Sequence, residues 1–303
     1  MNREYLLSIV ILTMNRKDQV IEALESCMAS KLPDGTEFVI VDNHSNDGTG
    51  KIIKSYIEGH PNYDFQYEFE KKNLGVGGGR ARAFDLAKGK YLYFLDDDAV
   101  ISEESTENFF MEPIAYLEKN KNVASITTKI KDTTFKGDRN DSFSEEKIDG
   151  RPLTFKYLGG SHFLRKNAFE SPLYFAIQYG SEEYAPSIIA QDKGFCHVYF
   201  DDIYIIHQPK VNKWVDGSAN MEYVLSCGIA VAHATKRILY PVLFRPILEL
   251  AHYRRCKMHL SQYDGAIKKC NNMVKDIVKN NKYEKIKAAT VINMYKKFGL
   301  TVF

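Results

Sequence analysis

The chain has 303 residues, 44% hydrophobic and 26% charged, ordinary globular values that exclude a disordered or fibrous chain and suit one large α/β domain, alone or with a helical extension. Its net charge of +2 conceals a split: Lys236 to Phe303 carries 15 Lys or Arg against 4 Asp or Glu, and the body before it 26 against 35. Cys27, Cys196, Cys227, Cys256 and Cys270 are odd in number and lack a CxxC spacing, so neither a disulfide framework nor a zinc site is indicated and a reducing, cytoplasmic compartment is expected.

The N-terminal apolar run is short and passes into polar Thr13 to Arg16, which is not the form of a signal peptide. Leu6 to Leu12 is a continuous, β-branched run typical of a buried parallel strand, and Val20, Ile21, Leu24, Cys27 and Met28 then repeat at helical spacing. Phe38 to Val41 predicts a second strand, closed by the polar turn Asp42 to Gly48. Ile52, Ile53, Tyr56 and Ile57 predict a second helix, Phe65 to Phe69 a third strand, Ala81 to Ala87 a third helix and Tyr91 to Leu95 a fourth strand. Such βαβ units impose a parallel sheet with right-handed crossovers, and ligands bind beyond the carboxyl ends of its strands. Thr13 to Arg16, Asp42, Asn73 to Arg82 and Asp96 to Asp98 all fall there.

From residue 123 to 215 the alternation is lost, and polar Lys131 to Arg151 predicts a mobile loop or insertion near the site. Beyond Ser218 the chain reads as helical, with Tyr263, Ile267, Cys270, Met273, Val274, Ile277 and Val278 forming an amphipathic stripe. No stretch approaches the ~18 apolar residues of a membrane span; Tyr223 to Thr235 is the longest uncharged candidate. The basic tail reads two ways, as a surface for the anionic inner face of a membrane or as a solvated helical face.

Three consecutive aspartates, Asp96 to Asp98, close an apolar strand, and their repulsion calls for a cation. In an extended segment alternate residues point the same way, so Asp96 and Asp98 can face one site with Asp97 turned elsewhere. Hard carboxylate oxygens suit Mg²⁺ or Mn²⁺ shared with a diphosphate. The other reading is an acidic helix start, since Ser102, Glu103 and Glu104 follow. The run Asn73-Leu-Gly-Val-Gly-Gly-Gly79-Arg-Ala-Arg82 lacks the Lys and Ser/Thr of a P-loop and does not follow the first strand as a dinucleotide fingerprint does. It either lets backbone approach a ligand, with Arg82 as a fixed cation, or forms a tight turn.

Taken in order, Ser8 to Arg16, Val41 to Thr49, Asn73 to Arg82 and Leu95 to Asp98 resemble the motifs of the family 2 inverting glycosyltransferases, nearest the rhamnosyl and galactofuranosyl branches. Tyr179-Gly-Ser-Glu182-Glu183 followed by Lys193-Gly194-Phe195 resembles the family's acidic pair and downstream glycine, so the resemblance spans residues 6 to about 210. It implies a GT-A (Rossmann-like) α/β sheet over residues 1–215 with a basic helical extension over 216–303. It implies nucleotide contacts at Thr13, Asn15, Arg16, Asp42, Asn73, Gly79, Arg82, Asp96 and Asp97, with Asp42 and Asp96 on the base and ribose. Asp98 and His207 would hold Mn²⁺ or Mg²⁺, and Glu183 would be the catalytic base beside Glu182. Most relatives carry Glu-Asp where this chain has Glu182-Glu183, and Ala185-Pro186 replaces polar residues after the pair. Trp214, with Lys210 and Lys213, either covers the sugar or diphosphate or packs on the surface.

The expected reaction moves a sugar from a UDP- or dTDP-sugar to a hydroxyl with inversion, in glycan, polysaccharide or glycolipid assembly. Expected partners are the nucleotide-diphosphate sugar donor and a glycan, lipid-linked or protein hydroxyl acceptor. An anionic membrane and a homo-oligomer are further options, and nucleic acid is not expected. A sugar nucleotidyltransferase is the first rival, but Thr13 to Asp18 lacks its glycine-rich loop. A noncatalytic nucleotide-sugar-binding module is the second, and it has no need of Glu183. Donor choice is expected to rest on Thr133 to His162.

Overall fold

A computed structural model describes residues 4–303 apart from 134–142, 176, 178 and 210–218. Strands β1 (Leu7–Thr13), β2 (Thr36–Asp42), β3 (Asp64–Phe69) and β4 (Tyr91–Asp96) alternate with helices α1 (Lys17–Met28), α2 (Thr49–Glu58) and α3 (Gly75–Leu86). After them come β5 (Ala99–Ile101), α4 (Met111–Lys119), β6 (Val123–Asp132), β7 (Phe143–Ile148), β8 (Arg151–Thr154), β9 (Ser161–Arg165), α5 (Tyr184–Asp192) and β10 (Cys196–His207). The helices α6 (Ala219–Leu239), α7 (Arg245–Leu260), α8 (Ala266–Asn280) and α9 (Ala288–Phe298) complete the described chain.

One sheet runs in the order β3-β2-β1-β4-β9-β6-β10-β8-β7, with β5 paired to β10. The first four strands are parallel, and β1 sits between β2 and β4. The chain therefore builds outward to β3 and returns to the other side of β1, which opens a crevice at the carboxyl ends of β1 and β4. Register places Thr13 beside Asp42 and Leu12 beside Asp96. On β1, Leu7, Ile9 and Ile11 enter one core with Val20, Leu24 and Cys27 of α1, while Val10 enters a second core with Ala83 and Phe84 of α3. Both faces are covered, which is why these strands read as unbroken apolar runs.

The later strands lose the alternation because β9 runs antiparallel between β4 and β6, and β7 and β8 form an antiparallel hairpin at the edge. The loop expected over Lys131 to Arg151 is corrected in part: β6 runs to Asp132, and Phe143–Ile148 is strand. Its polarity is that of an edge strand, with Ser144 buried and Glu145, Glu146 and Lys147 exposed. The remainder of that expected loop, residues 134–142, lies outside the described residues, as do Lys210, Lys213 and Trp214.

The glycine run expected to lead into a helix is itself the first turns of α3. A Cβ at Gly77 would fall 2.5 Å from the Phe175 carbonyl oxygen, and one at Gly79 would fall 2.6 Å from Leu12 Cδ1. Glycine here brings the helix against β1 and against Phe175 and Ile177.

The basic C-terminal helices share the main core with the sheet. Val291, Met294, Phe298, Val302 and Phe303 join it, and the Phe298 ring lies tilted against Phe155 with centroids 5.8 Å apart. Lys236 is wholly buried; its Nζ donates to the carbonyls of Thr301 and Phe303 and lies 4.9 Å from the Tyr184 ring. Thr290 Oγ1 and the Lys287 N–H both donate to Asp192 of α5. Removing a buried phenyl leaves a cavity, so Phe298→Ala should lower unfolding stability by about 3–5 kcal/mol. Denaturant melts followed both by tyrosine fluorescence and by helical circular dichroism should shift together; a midpoint unchanged from the parent would show that the tail folds apart from the sheet.

Candidate active site

The carboxyl ends of β1 and β4, the loop before β9, the start of α5 and one face of α6 enclose a cleft of about 360 Å³. Five carboxylates converge there: Asp96, Asp97, Asp98, Glu182 and Glu183. Two arginines hold them. Arg80 of α3, buried, pairs through Nη2 with Asp96 Oδ1 and through Nη1 with Glu182 Oε1, and Nη2 also donates to the Gly159 carbonyl at 3.0 Å. Arg16, just past β1, pairs through Nη1 with Asp98 and lies 3.5 Å from Asp97 Oδ1 through Nε. A Cβ at Gly159 would collide with Glu183 Oε1 and fall 2.7 Å from Arg80 Nη1, so glycine is what lets both side chains share this corner.

Asp97 turns beneath β1, where Thr13 Oγ1 donates to its Oδ2 at 2.7 Å. Burial pushes Asp97 up to about 7 against the pull of Arg16, and the charge of Asp98 adds to the rise. Burial opposes ionisation of Asp98 too, but the hydrogen bond from His207 and the charge of Arg16 outweigh it and hold Asp98 at about 2. His207 Nε2 lies 3.1 Å from Asp98 Oδ1, and Nδ1 lies 2.8 Å from Asp132 Oδ2. β10 and β6 pair in register at His207 and Asp132, which sets that contact. Ligand atoms of Asp96, Asp98 and His207 all lie within 4.8 Å of one another. Two hard carboxylates and an imidazole whose other nitrogen is oriented by a buried carboxylate form a donor set that fits Mn²⁺ or Mg²⁺.

Across the cleft, Glu182 and Glu183 stand just before α5, with Glu183 at its N-cap. Burial and the adjacent Glu183 push Glu182 up to about 7, against the attraction of Arg80. Glu182 Oε2 is buried with no hydrogen-bond partner among the described residues.

Residues 8–178 match the model of the family described as Glycosyl transferase family 2, more than half of the chain. The chain belongs to that family. A curated relative from Methanocaldococcus jannaschii, an uncharacterized glycosyltransferase, is 29% identical over 39% of this chain and 39% of its own length. The Escherichia coli protein WfaP, named a UDP-Glc:alpha-D-GlcNAc-diphosphoundecaprenol beta-1,3-glucosyltransferase, is 34% identical over 35% of this chain and 41% of its own. The chain thus spans less than half the length of these curated relatives. Among solved structures, S. aureus TarS 1-349 in complex with UDP-GlcNAc superposes with a TM-score of 0.63 at 15% identity, covering 90% of this chain and 81% of that one. The mannosyltransferase PcManGT from Pyrobaculum calidifontis, in complex with GDP-Man and Mn2+, gives 0.60 at 14% identity, covering 100% and 82%. These likenesses establish the GT-A fold, with a helical C-terminal region packed on it.

In this family 2 fold the residues expected at the nucleotide divide. Arg16, Asp96 and Asp97 line the cleft, with Asp98, His207, Glu182 and Glu183. Thr13 lies behind Asp97. Arg82 is elsewhere: on α3 it points roughly 200° away from Arg80, is half exposed and pairs with Glu68 and Glu70. Asp42 is fully buried and off the cleft, its oxygens accepting from the Ser45 N–H at 2.8 Å and the Tyr67 hydroxyl at 3.0 Å. Asn15, with φ of 56°, braces the Ser45–Asn46 turn, and Asn73 Oδ1 accepts from the Gly75 N–H at 2.7 Å. Gly79 packs on Leu12. The sequence reading missed Arg80, Asp132 and Gly159. Starting α3 at Gly75 would have set Arg80 on the face shared with Val76 and Ala83 and so distinguished it from Arg82.

Removing one partner of a buried ion network leaves charge uncompensated, so Arg80→Met should cost about 3–5 kcal/mol of unfolding stability. Arg82→Met removes an exposed pair and should cost ~0–1 kcal/mol. Urea melts of both variants decide it; equal losses would mean that Arg80 does not hold the cleft together.

Proposed function

We propose that this chain transfers a sugar from a UDP- or dTDP-sugar to an acceptor hydroxyl with inversion of the anomeric centre. The observation that carries the reading is the division of the cleft: Asp96, Asp98 and His207 on one wall, Glu182 and Glu183 on the other, with Arg80 bridging the two. Asp96, Asp98 and His207 would hold Mn²⁺ or Mg²⁺. Bound there, the cation would offset the charge of the diphosphate. The UDP-GlcNAc bound to TarS supports a uridine donor, and the GDP-Man and Mn2+ of PcManGT support a nucleotide-sugar donor used with a cation.

Arg16, facing the cleft, supplies positive charge to the diphosphate end of the donor. Arg80 fixes Glu182, so the glutamate nearest the guanidinium is a positioning group that orients the acceptor hydroxyl through Oε2. Glu183 is the base. The acceptor oxygen forms its bond to the anomeric carbon as the bond from that carbon to the diphosphate breaks; the hydroxyl proton passes to Glu183 and the nucleoside diphosphate leaves as an anion. A single displacement inverts the centre. Glu183→Gln keeps the shape and removes the base, so transfer should fall by about 10²–10⁴-fold with donor affinity nearly unchanged. Release of UDP or TDP across a panel of nucleotide sugars with Mn²⁺, with and without acceptor, measures this; normal turnover in Glu183→Gln beside a dead Glu182→Gln would overturn the assignment.

Glycan, polysaccharide or glycolipid assembly is the proposed setting, and a lipid-linked acceptor is supported by the diphosphoundecaprenol in WfaP's name. No helix among the described residues is long and apolar enough to cross a membrane. The proposed contact is peripheral, at the cytoplasmic face. Val242 and Leu243 before α7, and Leu250, Tyr253 and Met258 along it, are exposed apolar side chains interleaved with exposed Arg245, Arg254 and Lys257. An apolar strip edged with cations matches an anionic lipid surface. Vesicles containing phosphatidylglycerol should sediment the protein at low salt. Arg254→Ala should weaken this by about 1 kcal/mol, roughly fivefold. Binding that ignores both salt and Leu243→Glu would locate the contact elsewhere.

A further inference from the structure

Away from the cleft, α6, α7 and α8 close on a small separate core of Ala230, Ala234, Leu260, Ala266 and Val274, with Cys256 and Cys270 inside it. His252 and Cys256 lie one turn apart on α7 and Cys270 faces them from α8; all three are buried, and their donor atoms lie within 4.8 Å of one another. Cys256 Sγ is 4.0 Å from Cys270 Sγ, 3.6 Å from His252 Nε2 and 3.8 Å from His252 Nδ1. A tetrahedral zinc, with Zn–S of about 2.3 Å and Zn–N of about 2.0–2.1 Å, holds two sulfurs about 3.8 Å apart and a sulfur and a nitrogen about 3.6 Å apart. The separations of Cys256 Sγ from Cys270 and from His252 already stand close to those spacings, and Cys270 lies within 4.8 Å of the ring.

We propose that His252, Cys256 and Cys270 form a second metal site, a zinc site that clamps α7 to α8. His252 Nε2 faces Asn271 Oδ1 at 2.8 Å, which places the ring proton there and leaves the Nδ1 lone pair for the metal. His233 of α6 stacks on the same ring at 4.0 Å and fixes its plane. On binding, Cys256 and Cys270 each release a thiol proton, and the two thiolates cancel the charge of one Zn²⁺. The loaded site is therefore neutral, as its apolar surroundings require. Soft sulfur donors select zinc here, whereas the carboxylates of the cleft suit Mn²⁺ or Mg²⁺, so the two sites sort their metals by donor chemistry. With three protein donors, the fourth position falls to water or a small ligand.

The test uses the reduced full-length chain and Co²⁺, whose bonds to thiolate give an intense near-ultraviolet charge-transfer band that a carboxylate–histidine site cannot give. One equivalent of Co²⁺ should produce the band, and one equivalent of Zn²⁺ should bleach it. Asp98→Ala should keep it, Cys256→Ala and Cys270→Ala should lose it, and Asn271→Ala should weaken zinc binding by roughly 10–100-fold. Should the cysteine variants fail to fold, the parent decides, since its melting temperature should rise with added Zn²⁺ and fall again with a strong chelator. No thiolate band in the parent, a band that survives both cysteine changes, or a Cys256–Cys270 disulfide in chain isolated without reductant overturns the site.

Discussion

Five carboxylates gathered beyond the ends of two neighbouring strands repel one another, and the structure around the cleft is organised by the need to hold them. Arg80 and Arg16 are the means. Arg80 ties Asp96 at the end of β4 to Glu182 before α5, positions far apart in the sequence, and its own place depends on α3 lying close against β1. That approach in turn requires Gly79, where any Cβ would meet Leu12, and Gly77, where it would meet the backbone at Phe175. A helix made of glycines is poor in intrinsic propensity, at roughly 1 kcal/mol per residue relative to alanine. It persists because burial of Ala83 and Phe84 against the sheet offsets the loss.

The same electrostatics separates two adjacent aspartates. Asp97 and Asp98 are neighbours in sequence, yet burial raises one to about 7 while His207 and Arg16 hold the other at about 2. Their difference arises from the turn after β4, which sends Asp97 under β1 toward Thr13 and leaves Asp98 facing His207. His207 is fixed in turn by Asp132 through the pairing of β6 with β10. A hydrogen-bonded chain thus runs from the sheet interior to the cleft and holds the His207 ring in one orientation.

The C-terminal helices extend this dependence rather than standing beside it. Val224 and Gly228 of α6 line the cleft, so the tail forms part of its wall. Phe298 anchors α9 to the sheet core beside Phe155, and buried Lys236 of α6 ties to the backbone at Phe303. The excess of positive charge is left on the outer face of α7 and its neighbours.

Much of this was legible in the sequence alone. The strands β1, β2 and β4 are buried on both faces, which leaves a continuous apolar signature, and the polar residues at their carboxyl ends mark where a parallel sheet exposes its ligand-binding edge. Asp96 and Asp98 stand out because clustered acids at the end of an apolar strand are costly without a purpose, whereas Glu182 and Glu183 are marked only by resemblance to the family's acidic pair. What only the tertiary structure decided depends on helix phase, strand register and distance. Where α3 begins determines that Arg80, and not Arg82, meets the carboxylates, since two residues on a helix point to nearly opposite sides. The role of Asp132 rests on a strand pairing across 75 residues of sequence, and that of Gly159 on the absence of a side chain at one crowded corner. Asp42, conspicuous at the end of β2, accepts from Ser45 and Tyr67, contacts that the linear sequence does not display. The grouping of His252 and Cys256 with Cys270 comes from two helices packing face to face, and linear cysteine spacing carries no trace of such a meeting.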